Sequence, residues 1–121
     1  MSFALVARIV AVICAVLFVI LLVFPAVYAP TYGVVADTGA QFITRRAAPM
    51  FIAPVVILWF AAQAPDSPLR HAVALGFALA FVGIAATGVA EYLAGTSSAA
   101  ILIAALGECL IAAALWVTRK N

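Results

Sequence analysis

Charge is what this chain has least of. Only 8% of its 121 residues are charged, four acidic and six basic, against about a quarter in ordinary soluble domains. A water-facing surface cannot be assembled from that supply. The cations behind the net charge of +2 are scattered at segment ends, which excludes a nucleic-acid footprint and a polybasic lipid patch. Histidine occurs once, as His71, so no histidine pair exists to hold a haem or a metal. The two cysteines, Cys14 and Cys109, lack CxxC spacing and lie inside apolar runs, where a thiol behaves as a small hydrophobe. Nucleophile–base pairs, glycine-rich phosphate loops and metal-ligand spacings are missing as well. The reading is of a non-enzymatic protein with no cofactor and no metal.

What is present is hydrophobe, 69% of the chain. One helical crossing of a bilayer takes about 20 apolar residues, so the length holds about four crossings and a single transmembrane domain over 1–121. The first helix is predicted over 5–24, with Pro25 and Pro30 marking its exit into a loop and Tyr28 and Tyr32 at interface depth. Val27-Tyr28-Ala29 imitates a secretory cleavage site. The apolar run 9–29 is longer than a signal core and Pro30 follows the site directly, so this segment reads as a retained crossing.

The second helix is predicted over 38–63, capped by Thr38 with Gln41 closing a capping box, and kinked at Pro49 and Pro54. The turn 64–68 then places Ser67 as N-cap and Pro68 at the first helical position, where a missing N–H costs nothing. The third helix follows over 69–93 and, after Gly95-Thr96-Ser97, the fourth over 98–117. Short links make neighbours antiparallel. The expected fold is therefore an all-α antiparallel four-helix bundle in the membrane. Arg8, Arg70, Arg119 and Lys120 share one side of that bundle, so both termini are expected in the cytoplasm.

Within the last apolar run stands Glu108. A charge at the centre of a membrane helix costs roughly 2.5 to 3.5 kcal/mol on insertion scales, and such a residue normally faces a partner or a watery cavity. Ala100, Ala104, Glu108 and Ala112 recur every four residues, a stripe of small side chains suited to close helix approach. Gly76 with Ala80, and Gly83 with Thr87, offer a matching stripe on the third helix. Glu91, near the non-cytoplasmic end of the third helix, and Glu108, roughly 15 Å inside the fourth, bracket the depth of Arg45 and Arg46. An interhelix charge network of Arg45, Arg46, Glu91 and Glu108 is expected, one arginine turned inward, with Asp37, Gln41, Thr44 and Thr87 as polar supports.

The run Arg46-Ala47-Ala48 and the turn Ala64-Pro65-Asp66-Ser67-Pro68-Leu69-Arg70 resemble small, uncharacterised four-span bacterial membrane proteins. That resemblance implies a compact antiparallel bundle in the bacterial inner membrane and supplies no activity.

Three functions follow as expectations. The leading one is an accessory or scaffold subunit that associates through small-residue faces, with itself as a homo-oligomer or with a larger membrane complex. The second is a proton-coupled small-molecule carrier or channel-like protein using Glu108. The third is lipid or anion binding at Arg45 and Arg46.

Overall fold

The computed structural model describes residues 1–121 and is all-helical. Its elements are α1 (Phe3–Val23), α2 (Pro25–Thr31), α3 (Thr38–Ala47), a 3-10 turn (Ala48–Phe51), α4 (Ile52–Ala61), α5 (Pro68–Leu93) and α6 (Ala100–Thr118). Four segments are long and apolar enough to cross a membrane: α1, the composite run Thr38–Ala61, α5 and α6.

Local chemistry sets the ends of these helices. Ser67 caps α5 by accepting the Arg70 N–H at 3.2 Å, with Pro68 in the first turn. The cap of α3 is Asp37, one residue earlier than the Thr38 expected, because its carboxylate accepts the Ala40 N–H at 2.7 Å. Gln41 consequently closes no box with Thr38; its amide donates to the Ala36 carbonyl at 2.9 Å. Pro25 does not lead into a loop. After a break at Phe24 it opens α2, since its fixed φ suits a first helical position. Pro49 falls in the 3-10 turn, where its absent N–H interrupts the α-helical ladder, and Pro54 sits in the first turn of α4.

Two helices end in the same way. Gly33 (φ 78°) and Gly95 (φ 76°) adopt the left-handed conformation just past α2 and α5. The Val34 N–H returns to the Ala29 carbonyl at 3.1 Å, and the Thr96 N–H to that of Glu91 at 3.0 Å, each satisfying a carbonyl the helix end would orphan. The two ends are then tied together, because the Ser98 N–H donates to the Tyr32 carbonyl at 2.7 Å.

The core is built on α1. Phe3, Val6, Ala7, Val10, Ala11 and Cys14 follow the spacing of a single helical face and are all buried. They share a cluster with Leu58, Ala61 and Ala62, with Ala74, Ala78 and Phe81 of α5, and with Ala112 and Leu115 of α6. Along α5 the buried residues are Arg70, Ala74, Ala78, Phe81 and Ala85, and Gly88 follows on the same face, where an added Cβ would stand 3.1 Å from Ile101. The predicted packing stripe of Gly76, Ala80 and Gly83 is exposed instead, and nothing lies within 4 Å of a Cβ built on either glycine. Gly76 and Gly83 are each two residues from a buried alanine or phenylalanine, hence about 200° around the helix. On α6, Ala112 is buried while Ala100 and Ala104 are half-buried.

At the end holding the α4–α5 turn, Arg70 is the one buried charged residue. Its guanidinium donates to the Asp66 carboxylate at 3.0 Å and to the Arg119 carbonyl at 3.1 Å, and stands 5.1 Å from the Phe3 ring. It thereby joins the start of α1, the α4–α5 turn and the end of α6.

Candidate functional site

The composite second span is interrupted by its 3-10 turn, and α4 packs on α5 where α3 does so little. α3 has no buried residue and packs on α1 and α2. The space left beside it is a cavity of about 560 Å³. α2 supplies Tyr28 and its C-cap Tyr32, α3 supplies Thr44, α5 supplies Thr87 and Glu91, the following loop supplies Thr96 and Ser97, and α6 supplies Glu108. Glu108 is half-buried and lies about 12 Å along α6 from Ala100. The cavity therefore answers the demand that an intramembrane carboxylate makes for a polar neighbourhood.

Both charged residues lining this cavity are acids, and no lysine, arginine or histidine joins them. The Thr96 hydroxyl rests against the Glu91 carboxylate and donates to the Glu91 carbonyl at 2.9 Å. Thr44 and Thr87 direct their hydroxyl protons to the Ala40 and Ile84 carbonyls, both at 2.7 Å, which leaves their oxygen lone pairs to accept from a guest. Ser97 Oγ is buried without any hydrogen-bond partner. Tyr28 and Tyr32 meet edge to face with centroids 5.3 Å apart. Burial pushes the Tyr28 phenol above its ordinary value of 10.0, and the nearby charges of Tyr32 and Glu108 push it further the same way. Tyr28 thus stays a neutral hydroxyl at physiological pH.

The expected charge network does not form. Arg45 and Arg46 are exposed, Arg46 lying 5.8 Å from the Phe42 ring, and neither pairs with Glu91 or Glu108. Both ion pairs of the protein belong to Asp66, with Arg70 and with His71. The reason lies in the rotation of α3. Ala40 and Thr44 line the cavity, and each later residue is turned a further 100°, so Arg45 and Arg46 are carried round to the outside. Of the four predicted polar supports, Thr44 and Thr87 line the cavity, while Asp37 and Gln41 serve the start of α3.

Three features of the charge pattern lie outside the sequence reading. Tyr28 and Tyr32, read as interface anchors, are cavity walls. Arg70, read as a surface cation, is the buried one, and the Asp66 four residues before it is the signal that could have marked it. His71 shares that same aspartate. No protein-family model, curated protein or solved structure matches the chain at a significant level.

Proposed function

We propose that this protein is a carrier of the bacterial inner membrane that couples proton binding at Glu108 to the passage of a small molecule through the acidic cavity. The observation carrying this reading is that Glu108 and Glu91 line one cavity of about 560 Å³ without a basic partner, so their charge is left for a proton or a cation. Two carboxylates also permit exchange, one holding a proton while the other meets the cargo. An antiparallel four-helix arrangement with both termini cytoplasmic fits this scheme. The contacts of Arg70 with Phe3 and Arg119 gather Lys/Arg-rich ends, and the cavity then opens toward the opposite face.

The test is proton uptake into proteoliposomes under an imposed gradient. Glu108→Gln is expected to abolish uptake while leaving the helical fold intact, and a variant that conducts like the wild type overturns the proposal. Arg45 and Arg46 line none of the three principal cavities, so binding of a lipid or anion there has no comparable support.

A second reading, that of an accessory subunit or homo-oligomer, is favoured by the open face of Gly76, Ala80 and Gly83, whose small residues suit close approach of another helix. Gly83→Leu is then expected to release a partner or dissociate an oligomer on mild-detergent purification. Unchanged elution as a lone monomer in wild type and variant removes this reading.

A further inference from the structure

The acidic cavity has an apolar neighbour along α5. A second cavity, of about 470 Å³, lies beside it, and Ile84 lines both. On α5 the walls follow one face without interruption, Phe77, Ala80 and Ile84 giving way to Thr87 and Glu91. On the facing segment Thr44 gives way to Ala47 and Met50. The two cavities thus adjoin at Ile84 between the second span and α5, the first polar toward Glu91 and the second almost wholly apolar. From Phe77 to Glu91 the two adjoining cavities, together the cleft, follow α5 for about 21 Å, a little more than one leaflet of the roughly 30 Å hydrocarbon core.

We infer that the cleft binds a single-chain amphiphile with an ammonium head, seated so that its hydrocarbon chain lies along Ala47, Met50, Phe77 and Ala80. This rests on the reading of Glu108 as the working carboxylate and names the class of cargo. Charge selects the head. Glu91 and Glu108 present two carboxylates with no cation between them, while Tyr28 and Tyr32 add aromatic faces that attract ammonium groups. Thr44 and Thr87 offer acceptors, and the buried, unpartnered Ser97 Oγ offers one more. A zwitterionic phospholipid is a poor occupant, because its phosphate would lie beside the carboxylates with no basic side chain to receive it. The apolar stretch selects the tail.

The test uses the full chain in lipid nanodiscs with dodecylammonium carrying a photoactivatable diazirine at mid-chain. Labelling is expected in peptides containing Met50 and Phe77, competed by unlabelled dodecylammonium and not by dodecyl sulfate, and reduced about tenfold or more in Glu108→Gln, the loss of one close charge contact. Ala80→Trp, at an exposed position on the cleft wall, is expected to displace the label. Equal labelling by a dodecyl sulfate diazirine, or labelling indifferent to both substitutions, overturns the inference. If Glu108→Gln still abolishes proton uptake in that case, only the cargo class falls. If uptake is also indifferent, the carrier proposal falls with it.

Discussion

Arg70→Met removes the guanidinium from the one place where three distant parts of the chain meet, and its cost can be worked out from the contacts. The bond to the Arg119 carbonyl at 3.1 Å is charge-assisted, a class contributing about 1.5 to 3 kcal/mol. The Phe3 ring at 5.1 Å adds about 0.5 to 1 kcal/mol. Asp66 is exposed and remains hydrated after the substitution, so its pair with Arg70 adds little. Methionine keeps most of the buried volume, which limits any cavity cost. The net expectation is a loss of about 2 to 3 kcal/mol, or roughly a 30- to 150-fold rise in the unfolding constant. Equilibrium unfolding in mixed micelles, followed by tryptophan fluorescence, measures it conveniently because Trp116 lies against Arg119. Arg70→Lys keeps the charge but can satisfy fewer of these partners, so its loss should fall between wild type and Arg70→Met. A loss below about 0.5 kcal/mol for Arg70→Met, the size of an ordinary surface change, would refute the view that this arginine clamps the helix ends.

Two further expectations concern the loops. Gly33→Ala and Gly95→Ala both force a side chain into the left-handed region, at about 1 kcal/mol, but only at Gly33 would the new Cβ also press on Ser98 at 3.1 Å. Gly33→Ala should therefore be the more destabilising of the two by thermal melting, and equal melting temperatures would count against the tie between the loops. Asp66 is held below its ordinary value of 3.8, chiefly by its hydrogen bond with His71 and then by the charges of His71 and Arg70. A carboxylate whose folded pKa is lowered contributes stability that is complete above its unfolded value and fades as the pH falls through the folded one. The melting difference between wild type and Asp66→Asn should accordingly be steady at about pH 6 and shrink toward about pH 3, and a difference that grows on acidification contradicts this.

The four apolar spans are legible in the sequence because lipid-compatible runs of this length have few other uses, and the caps at Ser67 and Pro68 because their chemistry is local. Glu108 is legible as the centre of interest for the same reason that makes it costly. What surrounds Glu108 is not. Whether Arg45 or Thr44 faces it depends on how α3 is rotated against α1 and α2, a tertiary choice that no spacing within α3 records. The small-residue stripe of Gly76, Ala80 and Gly83 misleads in a related way. α5 carries a second stripe of small residues on its opposite face, Ala74, Ala78 and Ala85, and the large Phe81 among them decides which face is buried. Pro25 and Pro30 read as breakers, yet one can begin a helix and the other ride in a short one where few N–H groups have partners to lose.

The 3-10 break in the second span has a consequence for the host membrane. α4 has 10 residues and the 3-10 turn has 4, together about 23 Å of strictly apolar rod against the roughly 30 Å that a bilayer asks for. The shortfall of about 7 Å falls to the polar α3, in whose last turn Arg45 and Arg46 are exposed. This is hydrophobic mismatch confined to one wall of the cleft. A thinner bilayer relieves it and a thicker one strains it, so acyl-chain length of the surrounding lipid bears directly on the segment that sets the width of the cleft.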